Sequence, residues 1–233
     1  MQVRDVNLKV MQPTQPLHNL LLLLILPHLF VAVLVMGQAN IPDLEARLKS
    51  APNDESLLME LGRLYHDRGI DGDDKAVDKG FEMFDRALAI DSSNVVARAY
   101  RGSLWTLRAR NSWWPPNKLE YMRKGAEDLD EAVSMDPMNI MVRLIRGIAG
   151  LGLPGFLGKL PKALEDFVLI LRHPEFPEQR KEIKVAVFYY AGVACRRADD
   201  YEKARELFKQ AVSVFPGSEF ARRAAEELKD MGS

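Results

Sequence analysis

An all-α solenoid is the fold this sequence predicts, and three observations predict it. A frame about 34 residues long recurs four times along the chain. Each copy sets a glycine on one amphipathic segment and small residues flanking an aromatic or leucine on the next. Little of the chain alternates apolar and polar residues with the period of two that a half-buried strand needs. A helical hairpin built on this frame cannot bury its apolar face alone, so successive copies must stack.

From the N-terminus, residues 1–19 carry Arg4 and Lys9 against Asp5. An apolar run at 20–36 follows, interrupted only by Pro27 and His28. Gly37-Gln38-Ala39 then places small residues at the two positions a signal peptidase reads. This is the layout of a secretory signal cleaved after Ala39. A run of 17 residues is also the lower limit for a membrane span, so an uncleaved anchor through 20–36 is a second reading of residues 1–39. A buried core helix is a third. Under the first two the rest of the chain is exported: periplasmic or otherwise extracytoplasmic, free or anchored to an inner membrane. No cysteine stands near the cleavage point, which argues against a lipid-modified N-terminus.

Residues 40–54 read as a half-repeat, a lone second helix with Leu44 and Leu48 on one face. The first copy, 55–94, has Leu61, Gly62, Tyr65 and Gly69, then Phe84, Ala87 and Leu88. The second, 95–139, has Gly102 and Trp105, then Gly125, Leu129, Ala132 and Pro137. The third, 140–177, has Gly147, then Ala163, Phe167, Leu171 and Pro174. The fourth, 185–218, is the clearest: Tyr189 and Gly192, then Tyr201, Ala204, Phe208, Ala211 and Pro216. Glycine where two helices cross lets their backbones approach, and an aromatic fills the space beside them. Proline after the second helix turns the chain back. Residues 219–233 read as a capping helix with Phe220, Ala224 and Leu228 inward and Arg222, Arg223, Glu226 and Glu227 outward.

This pattern resembles the tetratricopeptide repeat, in which Leu-Gly and Tyr mark helix A and Ala, Phe, Ala and a closing Pro mark helix B. The resemblance covers roughly residues 55–218. It implies a right-handed α-α superhelix of about four helix-turn-helix repeats, with the half-repeat before and the cap after. Against the unbroken fourth copy, the first holds about six extra residues around 70–75, the second about eleven around 111–119, and the third about four around 153–159. The expectation is three lengthened A–B loops projecting from one edge.

The resemblance also implies a concave groove lined by one stripe of helix A. In this sequence the stripe runs through Ser56, Met59, Arg63, His66 and Asp67, then Val96, Ala99, Ser103, Thr106 and Leu107. It continues through Met141, Leu144, Ile148, Leu151 and Gly152, then Ala186, Tyr189, Val193, Arg196 and Arg197. The steps of three and four keep each set on one face. An apolar middle with Arg63, His66, Arg196 and Arg197 at the ends suits an amphipathic helix or extended apolar peptide. Lysine and asparagine, which clamp a C-terminal carboxylate in chaperone-docking repeats, are missing from the stripe. Two other occupants stay open: a small apolar molecule, in an accessory component of an envelope transport or assembly system, and self-packing by a terminal helix or second subunit.

Comparing the copies adds a structural expectation. Just before the helix-A glycine stand Leu61, Arg101, Arg146 and Ala191; at the facing helix-B position stand Met83, Asp128, Asp166 and Leu207. Charge accompanies charge, so Arg101–Asp128 and Arg146–Asp166 are expected to pair between helices A and B. Trp113, Trp114, Phe156 and Leu157 lie in the lengthened loops. They either fold back over repeat ends or form an aromatic edge for a partner or a membrane.

Composition narrows the function. A net charge of −1, with both signs interspersed, argues against nucleic acid. Outside residues 1–39 only His66 and His173 remain of the histidines, and no His/Cys/Asp spacing suits a metal. Asp71-Gly72-Asp73-Asp74 lacks the alternating oxygens of a calcium loop and reads as a turn. Cys195 is the only cysteine and occupies a packing position on helix A. Neither a catalytic constellation nor a cofactor motif emerges, and the reading is a non-catalytic scaffold for a protein or peptide.

Overall fold

The computed structural model describes residues 40–153 and 158–232. Two compact units divide the chain, Met1–Asp43 and Leu44–Ser233. Of the first, only residues 40–43 are described, and they open the first helix. The leader expectations for 1–39 therefore lie outside the described residues.

Among the described residues there are ten helices and no strand. They are α1 (Ile41–Ser50), α2 (Glu55–Ile70), α3 (Asp74–Ile90), α4 (Val95–Asn111) and α5 (Pro115–Met135). Then come α6 (Ile140–Gly152), α7 (Leu160–Leu171), α8 (Lys181–Arg197), α9 (Tyr201–Val214) and α10 (Glu219–Asp230). The pairs α2/α3, α4/α5, α6/α7 and α8/α9 are antiparallel hairpins, and α10 packs on α8 and α9. The described helices form an all-α repeat superhelix.

Local chemistry starts most of these helices. The side chains of Asp54, Asp73, Asn94, Asn139, Asp200 and Ser218 accept backbone N–H bonds at the openings of α2, α3, α4, α6, α9 and α10. In α5 and α7 a proline in the first turn does the work, where its missing N–H costs nothing. Between hairpins one tight turn recurs: Asn94 N–H donates to Asp91 O, Asn139 to Asp136 O and Ser218 to Phe215 O, each at 3.2 Å.

Glycine and aromatic interlock inside the hairpins. A Cβ on Gly62 would lie 2.7 Å from the Phe84 ring, and one on Gly192 would lie 2.6 Å from Phe208. Phe84, Phe167 and Phe208 are wholly buried. In the second hairpin Leu129 replaces the aromatic, and the approach passes to the backbones: a Cβ on Gly102 would lie 3.0 Å from Gly125 O, and one on Gly125 would lie 2.9 Å from Gly102 O.

Two of the expected long loops are not loops. The A–B connections of the first two hairpins are short turns at 71–73 and 112–114, because the added residues extend the helices. Asp73 caps α3 early, and Pro115-Pro116 starts α5 early, so α5 reaches 21 residues. The third connection, 153–159, is described only in part. Residues 173–180, between α7 and α8, carry buried Phe176 against Phe188 with ring centroids 5.5 Å apart.

Both expected ion pairs form, and each joins more than two helices. Arg101 grips Asp128 through Nε at 2.8 Å and Nη2 at 2.7 Å, while its Nη1 reaches Asp85 of the preceding hairpin at 3.2 Å. Arg146 grips Asp166 at the same two distances, 2.8 and 2.7 Å, and its Nη1 reaches Asp130 at 3.0 Å. Asp166 also accepts from Arg143 Nη1 at 2.7 Å. Each arginine thus ties helix A to its own helix B and to the helix B before it. Bidentate guanidinium–carboxylate geometry makes such ties directional.

Candidate functional site

The first helices of the four hairpins together line a hollow of about 310 Å³. α2 contributes His66 and Ile70, and α4 contributes Ser103, Thr106, Leu107 and Arg110. α6 adds Ile148, Ala149, Leu151 and Gly152, and α8 adds Tyr189, Tyr190, Val193 and Arg197. The wall is apolar in its middle and polar at its two ends.

The polar groups have defined roles. His66 Nε2 lies 2.8 Å from Ser103 Oγ, and the imidazole edge meets the Tyr100 ring at 5.2 Å. His66 Nδ1 makes no hydrogen bond and stands 3.5 Å from Asp67 Oδ1. The Thr106 hydroxyl donates to Ser103 O at 2.7 Å. Burial raises the phenol pKa of both Tyr189 and Tyr190, so both hydroxyls stay protonated and able to donate. Arg110 donates to Gly69 O at 2.8 Å and Ile70 O at 3.1 Å, and Arg197 donates to Leu151 O. These arginines close the carbonyl ends of neighbouring helices, where a cation is favoured.

Hairpins of this length, with glycine at each crossing and proline closing the clearest copy, match a known repeat. The family description "Tetratricopeptide repeat" fits residues 185–218. The fold is similar to TTC0263, a thermophilic TPR protein of Thermus thermophilus, at TM-score 0.66 and 18% identity, over 87% of this chain and 96% of that one. Residues 185–218 match this repeat, and the described chain has the fold of a tetratricopeptide-repeat solenoid. More distant likenesses are MamA, at TM-score 0.44 and 18% identity over 75% of this chain and 80% of that one, and YrrB, a TPR protein with an unusual peptide-binding site, at TM-score 0.37 and 18% identity over 78% of this chain and 97% of that one. A search of curated proteins finds no match to the sequence.

Within this tetratricopeptide-repeat frame the expected stripe divides. His66, Ser103, Ile148, Leu151, Tyr189, Val193 and Arg197 line the hollow, with Thr106, Leu107 and Gly152. Ser56, Met59, Arg63, Asp67, Val96, Ala99, Met141, Leu144, Ala186 and Arg196 do not. Leu144, 5% exposed, sits in the core shared with Val185 and Val193, and fully buried Ala99 packs with Val142 and Ile145. Contact between adjacent A helices closes that half of the stripe, so an expected lining residue becomes core. Met141 faces a separate recess with Met138 and His173, and Arg63 is exposed away from the hollow. Arg196 is 3.1 Å from Glu227 of α10, which takes it out of the expected cationic rim.

Ile70, Arg110, Ala149 and Tyr190 are lining residues that the sequence reading missed. Ile70 and Arg110 had a signal. Continuing the steps of three and four gives 66, 67, 70 and 103, 106, 107, 110, the first set only if α2 runs on into the segment read as a loop.

The loop residues and the cysteine also have definite places. Trp113 and Trp114 do not fold back: they are 86% and 49% exposed, in contact with each other at 5.6 Å. Phe156 and Leu157 lie outside the described residues. Burial raises the Cys195 thiol pKa, which works against thiolate chemistry. Among the described residues no three His, Cys, Asp or Glu side chains are grouped to hold a metal. Among them, too, no helix is long and apolar enough to cross a membrane.

Proposed function

We propose that this chain is a non-catalytic scaffold that holds a segment of a protein partner in the hollow across α2, α4, α6 and α8. The observation that carries the reading is the lining itself. Leu107, Ile148, Leu151 and Val193 form a continuous apolar middle, flanked by His66 and Thr106 on one side and the tyrosine hydroxyls on the other. Apolar contact supplies affinity, and the few donors fix direction and register of the bound chain. Packed helices hold the wall in place, so little order is lost on binding and modest contacts suffice.

A photoreactive residue at Ile148 should cross-link a protein in the native cell, whereas one at Glu165, exposed on α7, should not. Ile148→Glu should weaken that partner's binding roughly tenfold or more, since a charge would enter a desolvated wall. Equal cross-linking at both positions would remove the hollow from the function. An adduct of small mass in place of a protein would instead favour a small apolar ligand, whose usual site volumes begin near that of this hollow.

The scaffold is proposed to work outside the cytoplasm. Support comes from the apolar run at 20–36 and from Gly37-Gln38-Ala39. N-terminal sequencing of the protein from its native cell should begin at Asn40 if the leader is cleaved. It should begin at Met1, with the protein in the membrane fraction, if the leader is an anchor. A soluble cytoplasmic protein beginning at Met1 would end the export reading.

A further inference from the structure

We propose that the turn between α4 and α5 is a membrane wedge that places Trp113 and Trp114 in the headgroup layer of a phospholipid bilayer. This surface is separate from the hollow and independent of its occupant.

The wedge is the most exposed large apolar feature among the described residues. Trp113 is 86% exposed, Trp114 49%, and Leu119, one turn into α5, 65%. Soluble chains normally hide tryptophan, and a cluster left in water marks a contact of some kind. The turn is also stiff. Ser112 N–H donates to Arg108 O at 3.0 Å to close α4, and Pro115-Pro116 opens α5 with fixed φ. The two indoles rest on each other, with centroids 5.6 Å apart and planes at 57°. They are held out from the surface rather than left loose.

Shape and charge favour lipid over protein. Two bare indoles make a knob, which a folded partner would have to match with a preformed socket; a bilayer deforms around it. Tryptophan is the side chain that most favours the membrane–water boundary, with its ring among glycerol and headgroups. Around the knob, residues 108–124 carry five cations (Arg108, Arg110, Lys118, Arg123, Lys124) against Glu120 alone, a net of four in a chain whose total is −1. Asp78 pairs with Arg108, Glu127 with Arg123 and Glu120 with Lys124, and Asp74 meets Asn111, so a net of one positive charge remains. Arg110 and Lys118 are the cations of this segment that have no carboxylate partner among the described residues. Lys118 makes no ion pair among the described residues and lies one turn from Trp114, placed to meet a lipid phosphate. The same chain carries the apolar run at 20–36, which as signal or anchor would bring it to a bilayer.

Tryptophan emission tests this in the full chain, reconstituted with phosphatidylcholine–phosphatidylglycerol vesicles. The chain has three tryptophans, and Trp105 is packed between Phe81 and Tyr121. Vesicles brominated near the headgroup should reduce the emission of Trp113 and Trp114 roughly twofold relative to plain vesicles, as expected for rings at the interface. The reduction should vanish in Trp113→Ala/Trp114→Ala, which retains only Trp105. Trp105→Phe gives a second readout: its remaining emission should move to shorter wavelength when vesicles are added. Emission equal in both kinds of vesicle, or an equal loss in the double variant, overturns the wedge. No wavelength shift in Trp105→Phe overturns it too, leaving the patch to a protein partner.

Discussion

Asp166→Ala is expected to destabilise the solenoid by about 3–5 kcal/mol, the loss typical when one partner of a buried ion pair is removed. The Asp166 residue is 0% exposed and accepts from both Arg143 and Arg146, whose side chains are each only 11% exposed. Alanine would leave the enclosed Arg143 without its carboxylate and Arg146 with only the half-exposed Asp130. For a unit of this size the melting temperature should fall by on the order of 10 °C. Asp166→Asn, which keeps an acceptor oxygen but not the charge, should lie between the parent chain and Asp166→Ala. Asp130→Ala is the contrast: its carboxylate is 43% exposed, and the loss should stay within about 1 kcal/mol. Thermal melts by circular dichroism compare the three. Equal losses at Asp130 and Asp166 would show that burial does not set the scale.

Gly125→Ala is expected to cost about 1–3 kcal/mol, as over-packing does in a close-fitted core. The sign is not obvious, since alanine in a helix interior ordinarily gains about 1 kcal/mol over glycine. Here the new Cβ would stand 2.9 Å from Gly102 O, 3.1 Å from Thr106 Cγ2 and 3.2 Å from Trp105 Cβ. A carbonyl within a helix cannot swing aside, so α4 and α5 would have to separate. Gly152→Ala is the control: nothing lies within 4 Å of its Cβ, and the substitution should be neutral or stabilising. Denaturant melts of the two variants should shift in opposite directions or leave Gly152→Ala unmoved; a stabilised Gly125→Ala would mean the crossing is looser than the structure gives it.

Much of the fold was legible because its determinants are local and repeated. Gly192 with Phe208, and Gly62 with Phe84, recur at a fixed spacing, and helical geometry turns that spacing into contact. The arginine–aspartate pairs were legible by comparing copies, since two copies differ together at two positions. Arg143, Asp85 and Asp130 were not, because each joins a pair already complete and nothing in one copy demands a third partner. The hollow was legible only in part. Helical phase says which residues share a face, but not how far along it neighbouring helices touch. That distance moved Leu144 and Ala99 into the core and left Ile148 and Val193 on the wall. Helix length was the other gap: α2 runs to Ile70, the first residue of a segment read as a loop, and so carries it to the rim.

The arginine ties have a mechanical consequence. They lock the first hairpin to the second and the second to the third. At the next junction the corresponding residues are Ala191 and Val168, with no charge between them. What crosses that junction is chiefly the apolar cluster around Leu144, Leu151, Val185 and Val193. A salt link fixes an angle and a length between two groups, whereas apolar packing fixes position through the fit of many side chains together. The first three hairpins are therefore joined by directed charge as well as by packing, while the fourth, which carries Tyr189, Tyr190 and Val193, is held by packing and by the Arg197 bond to Leu151 O.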